Sequence, residues 1–117
     1  MADMIIPVLK RLSSPDLERD RLPDDPAVCS IFCEAAIGPR DAAGGDLFSF
    51  TAVTAHALLN EEGARWGRAY LIVDRFSWPA VERAIGNLCM HCSRSTWDAC
   101  AAELAKEMNW EFERYTP

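Results

Sequence analysis

The residues of this chain best suited to chemistry are its thiols and imidazoles, because both can bind metals or take part in nucleophilic catalysis. The five cysteines and two histidines are Cys29, Cys33, Cys89, Cys92, Cys100, His56 and His91. Cys29 and Cys33 are separated by three residues, and Cys89, His91 and Cys92 fall within four consecutive positions. Sulfur and imidazole nitrogen are the ligands that zinc prefers, so these spacings raise the hypothesis of a zinc site.

The positions of these residues argue against zinc. If residues 28–37 form a strand, Cys29 and Cys33 lie about 13 Å apart, whereas a zinc knuckle takes two ligands from one tight turn. Cys89 and Cys92 fall on the apolar stripe of a predicted helix, where free cysteine packs as a small hydrophobic residue. His91 lies off that stripe, and we expect it to face solvent. We therefore expect no metal and no cofactor.

A thiol nucleophile is also disfavoured. A catalytic cysteine needs a lowered pKa, which a helix N-terminus or a neighbouring cation can provide. Cys89 and Cys92 lie at the C-terminal end of their helix, where the dipole opposes the thiolate, and Cys100 faces the core. Signatures of serine hydrolases, P-loops, dinucleotide folds and zinc proteases do not occur. We predict no catalytic residues, and the alternative is a small cysteine/histidine metal- or thiol-dependent enzyme or sensor.

A recognition surface is the third kind of site that the sequence suggests. Trp66 lies in a predicted loop, flanked by Arg65 and close to Arg68, and such residues are typical of interface hot spots. Trp66 could equally fold back onto the core as a lid. The predicted partner-binding residues are Asp24, Asp25, Glu61, Glu62, Trp66 and Asp98. Each acidic residue alone is an ordinary solvated side chain, so only clustering in space would make them a site.

The composition predicts one globular domain over residues 1–117. The chain has 50% hydrophobic and 26% charged residues, a formal net charge of −6 and a pI of about 4.8. An acidic surface repels nucleic-acid phosphates and suits a basic protein partner, although it also serves solubility alone. The odd cysteine count and the lack of a signal-peptide pattern predict reduced thiols in the cytoplasm. No apolar stretch approaches the ~20 residues that cross a bilayer, so we expect no membrane partner.

The clearest strand pattern lies in residues 44–54. Phe48, Phe50 and Ala52 alternate with more polar residues and form the face that we place on the core. Asp46 stands at the strand entrance, where a carboxylate suits the N–H groups of a turn. We prefer this structural role for Asp46 to a catalytic one, because aspartate is common at turns for this reason.

The periodicity of the other segments predicts an α+β fold: a mostly antiparallel sheet of four to five strands with two C-terminal helices packed on one face. The predicted elements are strands 4–12, 28–37, 44–54 and 69–75, a short helix 55–63, helices 78–91 and 95–109, and a strand or tail 110–115. Pro7 makes the first strand an edge or a strand start, whereas strands 28–37 and 69–75 have apolar residues on both faces and are placed in the sheet interior. Gly63 should end the short helix, with Leu58 and Leu59 packed inward.

This arrangement leaves one face of the sheet at least partly open to a partner. A weaker idea is an assembly module that pairs through the edge strand 4–12. A homodimer is an alternative use of the open face.

Several short motifs, in this order along the chain, resemble immunity protein family 8 of bacterial polymorphic toxin systems. They are Ile37-Gly38-Pro39, Gly44-Gly45-Asp46-Leu47-Phe48, Tyr70-Leu71-Ile72-Val73-Asp74-Arg75-Phe76-Ser77-Trp78 and Trp110-Glu111-Phe112-Glu113. The similarity spans residues 37–115. It implies a non-enzymatic cytoplasmic protein that binds a cognate toxin domain and neutralises it by stoichiometric occlusion. The cysteine pairs are not part of these motifs, and Thr54-Ala55-His56 stands where a Thr-Pro type of turn is expected.

Overall fold

The computed structural model describes residues 3–61, 63–64 and 67–112. In these residues the elements are β1 (Pro7–Ser13), β2 (Ser30–Pro39), β3 (Asp46–Thr54), α1 (Ala55–Leu59), β4 (Tyr70–Val73), α2 (Trp78–Met90), α3 (Trp97–Leu104) and β5 (Asn109–Trp110). The predicted α+β class with two C-terminal helices is confirmed. No helix in the described part of the chain is long and apolar enough to cross a membrane.

The strands form one mixed sheet in the order β1-β2-β3-β4, with β5 also beside β3. The pairs β1–β2, β2–β3 and β3–β5 are antiparallel, and β4 runs parallel to β3. The prediction that residues 69–75 lie in the sheet interior is wrong, because β4 has β3 on one side and pairs with no other strand of the described chain. Ile72 of β4 is accordingly 59% exposed.

The core lies between the sheet and the two longer helices. Phe48, Phe50 and Ala52 are buried, as their alternation predicts, and they belong to one cluster with most residues of the apolar stripes of both helices. The buried residues of those stripes are Trp78, Val81, Ile85 and Cys89 in α2 and Cys100, Ala101 and Leu104 in α3. Burial of apolar area against the two helices therefore fixes which faces of β2 and β3 point to the core.

Capping residues fix where the helices begin. Ser77 accepts a hydrogen bond from the Ala80 N–H, as predicted for the start of α2. Thr96 accepts one from the Ala99 N–H, so α3 begins at Trp97. The prediction that α3 runs to Asn109 is wrong: it ends at Leu104, and Asn109 begins β5.

The short helix α1 departs from expectation at its C-terminal end. It caps at Asn60, not at Gly63, and none of its residues is buried. Leu59 is 81% exposed, so the prediction that it packs inward is wrong. A five-residue helix makes less than two turns, and the N-terminal bond from the Ala57 N–H to the Thr54 hydroxyl sets its start.

The entry to β4 is held by Arg68. Its guanidinium donates to the Ala105 carbonyl at 2.9 and 2.7 Å and to the Met108 carbonyl at 2.9 Å. These carbonyls follow the end of α3, where a cation is favourable. The next residue, Ala69, donates its N–H to Glu107 and accepts from the Thr51 N–H. Both bonds hold Ala69 in the left-handed region, with φ of 67°.

We predict that Ala69→Gly raises the free energy of unfolding by about 0.5 kcal/mol. Glycine relieves a left-handed strain of about 1–2 kcal/mol and gives back part of that gain as unfolded-state entropy. Urea unfolding followed by circular dichroism measures the difference. The matched control is Ala102→Gly at an exposed position of α3, which should lower stability by about 1 kcal/mol. A similar loss in both variants would contradict the strain at Ala69.

Candidate functional site

The predicted partner-binding residues do not gather at one place. Glu62 and Trp66 lie outside the described residues. Asp24 and Asp25 are exposed in the loop before β2, and Glu61 is exposed just after α1. Asp98 is exposed in the first turn of α3.

Asp98 lies at the opposite end of the sheet from the aspartate pair. Its neighbour Trp97 donates to Asp46 at the start of β3. The loop containing Asp25 leads into Cys29, whose carbonyl accepts from the Thr54 N–H at the end of β3. The nine residues of β3 span about 26 Å, so these acids belong to separate surfaces.

The loop of Asp24 and Asp25 lies beside a segment with a further acidic residue, which the sequence did not single out. The Pro26 carbonyl accepts from the Phe76 N–H at 2.8 Å, which places the aspartate loop beside the segment that follows β4. Asp74, exposed in that segment, accepts a hydrogen bond from the Arg75 N–H. The two segments meet through this loop–loop contact, which has no local signal in the sequence.

The face of the sheet opposite α2 and α3 carries exposed apolar residues. Strand pairing aligns Phe32, Thr51 and Tyr70 in one row and Ser30, Val53 and Ile72 in the next. Phe32 is 38% exposed and Ile72 is 59% exposed, whereas Val53 between Ser30 and Ile72 is fully buried. Leu58 and Glu61 lie over Tyr70 and Ile72 and line a depression with them. This is the open face that the arrangement of elements predicted, and exposed aromatic and aliphatic residues on it suit contact with a protein.

The carboxylate of Asp46 has a structural role with unexpected partners. Its Oδ2 atom accepts hydrogen bonds from the Trp97 Nε1–H and the Trp110 Nε1–H, each at 2.9 Å. These are side-chain donors from α3 and β5, not the turn N–H groups that we expected. The signal that could have found them is the pair of tryptophans at packing positions, because a buried indole N–H requires an acceptor.

A family model described as Immunity protein 8 matches residues 8–115. The chain belongs to the immunity protein 8 family. The match begins at the second residue of β1 and extends beyond β5, so it covers nearly all of the sheet and the helices α1, α2 and α3 of the described residues. The resemblance inferred from motifs between residues 37 and 115 is confirmed. No curated protein and no solved structure matches the chain.

The thiols of this immunity protein are poorly placed for nucleophilic chemistry. All five cysteines are free, and four are buried. Burial raises the pKa of Cys33 and of Cys89 to about 11. Burial and the nearby Asp25 carboxylate raise the pKa of Cys29, and burial and Glu103 raise that of Cys92. Each shift lowers the fraction of reactive thiolate at neutral pH.

The geometry also gives no metal centre within the described residues, where no group of three or more His, Cys, Asp or Glu side chains could hold an ion. His91 caps the C-terminus of α2 and is exposed, as predicted from its position off the apolar stripe. The surface features of the described chain are the acidic segments near Asp25 and Asp74, the open face and the edge strand β4.

We predict that Asp46→Ala lowers the free energy of unfolding by about 3 kcal/mol, because two indole N–H groups lose a charged acceptor. Asp46→Asn should cost less, since an amide oxygen can still accept. Urea unfolding followed by tryptophan fluorescence measures both. The control is Asp41→Ala: among the described residues Asp41 forms an exposed 3.6 Å ion pair with Arg40, so the change should stay below about 0.5 kcal/mol. Equal stability of Asp46→Ala and the wild type would contradict this role.

We predict that the protein loses stability as pH rises from about 9 through about 11. Cys33 and Cys89 keep their protons to about pH 11 when folded, against an ordinary thiol value of 9.0. Between these two values the folded chain binds more protons than the unfolded chain, so the free energy of unfolding falls as pH rises. The stability that the two thiols contribute is complete below about pH 9 and is lost as pH rises to about 11. Urea unfolding at several pH values gives the slope. Cys89→Ala should make the slope shallower, and an unchanged slope would refute the assignment.

Proposed function

We propose that this immunity protein neutralises a cognate toxin domain of a bacterial polymorphic toxin system by binding it in a one-to-one complex. The observation that carries the proposal is the family match over residues 8–115. The complex would cover the toxin's active site or a surface next to it. This mechanism is non-enzymatic and needs no cofactor, because inhibition follows from occupancy alone.

The structure supports binding through its architecture. The sheet is backed by α2 and α3 through one continuous apolar core, so its other face is held in place before a partner arrives. A preorganised surface loses little conformational entropy on association. Phe32 and Ile72 give that face apolar contact area.

The charge of the chain supports a basic toxin surface. The net charge of −6 accelerates encounter with a positively charged partner. Asp24, Asp25 and Asp74 at one end of the sheet, and Glu61 beside the open face, supply acid on the described surface. Asp98 lies too far away to join them and would contact the toxin only through a larger interface.

The proposed place of action is the cytoplasm, where the toxin would act and where reducing conditions keep thiols free. Five cysteines without a disulfide agree with that compartment. Nucleic acid is not a proposed partner, because an acidic chain repels phosphates.

Co-expression tests the proposed function. The toxin domain encoded beside this gene is expressed in a susceptible host with and without this protein, and the two proteins are then purified together. We expect rescue of growth, co-purification and a stoichiometry near one to one by titration calorimetry. Growth arrest despite a folded, soluble immunity protein, together with no complex in vitro, would sink the proposal for that toxin.

A further inference from the structure

The two edges of the sheet differ in how they resist pairing with another strand. β1 begins at Pro7, carries Lys10 and Arg11, and has an irregular register between Leu9 and Arg11. Proline, basic residues and bulges are means by which proteins prevent an edge strand from pairing. β1 is thus a protected edge, which disfavours assembly through residues 4–12.

The edge at β4 has none of these protections. Its residues, Tyr70–Val73, are Tyr, Leu, Ile and Val; Tyr, Ile and Val favour strands, and none of the four is charged or a proline. In the part of the chain that the structure describes, β4 pairs with β3 only. A strand of this composition at an edge is a template for another strand.

Backbone alternation shows which groups of β4 point outward. The Ala69 carbonyl accepts from the Thr51 N–H at 2.9 Å, so Ala69 directs this group towards β3. Successive residues of a strand direct their N–H and C=O groups to alternate sides. The N–H and C=O groups of Leu71 therefore point towards β3. Those of Ile72 point away from the sheet, where an added strand would bond to them.

A depression lies on each face of this edge strand. The depression on the helix side is lined by Leu71, Leu88, Met108 and Glu107, among others. The one on the open side is lined by Leu58, Tyr70, Ile72 and Glu61, among others. The side chains of an added strand point alternately to the two faces. They would enter both depressions, and each depression combines an apolar lining with one carboxylate.

We propose that the outer edge of β4 receives an extended segment of the toxin domain as an additional strand. Aliphatic or aromatic side chains of that segment occupy the two depressions, and lysine or arginine side chains face Glu61, Glu107 and Asp74. In this mode main-chain hydrogen bonds supply affinity, and alternate side chains supply specificity. The inference rests on the proposed function, since it names the surface that the toxin contacts.

Two substitutions of one residue test the proposal. Ile72→Pro removes the outward N–H and leaves the hydrogen bonds between β3 and β4 in place. Ile72→Lys keeps the backbone intact and places a positive charge against a basic segment. We expect each to raise the Kd for the toxin domain at least about tenfold in titration calorimetry. Met90→Lys is the control: Met90 is 77% exposed at the C-terminal end of α2, away from the proposed contact surfaces, and the Kd of this variant should stay within about twofold of wild type.

Circular dichroism and thermal unfolding establish that all three variants are folded. Hydrogen exchange gives a second readout, because the Ile72 amide of the wild-type chain should exchange at least about tenfold more slowly in the complex. If the wild type binds tightly and both Ile72 variants bind with the same affinity, β4 is not the surface that the toxin contacts, and the proposed function still stands. No binding by the wild type overturns the proposed function itself. A wild-type dimer that Ile72→Pro converts to a monomer in sedimentation assigns the edge to a second copy and overturns the toxin as its occupant.

Discussion

The end of the sheet where β3 begins depends on the Asp46 carboxylate, because one oxygen of this group joins three elements. Oδ2 accepts from Trp97 at the start of α3 and from Trp110 in β5, while the backbone of Asp46 begins β3. β5 has only two residues, too few to be stable as a strand alone. It stays in place because Trp110 also stacks on Phe48 with ring centroids 6.4 Å apart, and because the Glu111 N–H bonds to the Leu47 carbonyl.

The sheet is fastened in a second place by Arg68, and this contact decides which part of the sheet is left exposed. By binding the carbonyls that follow α3, Arg68 brings the chain beside Thr51 and directs it into a parallel strand next to β3. β5 already pairs with the first residues of β3, so β4 occupies the remaining length. The crossover through α1 lies near one face of β4, and α2 and the residues after α3 lie near the other. An edge strand between two apolar depressions follows from this geometry.

Local patterns were enough to predict most of the elements. The Ser77 cap of α2 and the alternation of Phe48, Phe50 and Ala52 act over a few residues, and such signals are visible in sequence. The position of β4 at an edge of the sheet was not visible in the sequence. Apolar residues on both faces of a strand occur in a sheet interior, and they occur equally at an edge with a depression on each face. The Asp46 contacts join residues 51 and 64 positions apart, and no periodicity reports a contact of that separation. The loop of Asp24 and Asp25 meets the segment of Asp74 through a backbone contact between residues 26 and 76, and the sequence has no local signal of that contact either.

The contrast between the two edges is a stronger guide to binding than the acidic residues are. Exposed acids occur at both ends of the sheet and also serve solubility, so their presence does not select a surface. An edge strand without proline, charge or bulge is different, because its outward N–H and C=O groups can pair with another chain. The same chain protects β1 with proline, lysine, arginine and an irregular register, which shows that its sequence supplies such protection where pairing is unwanted. Tyr-Leu-Ile-Val at β4 therefore fits the proposal that this edge receives a strand of the toxin better than the scattered acids select any surface.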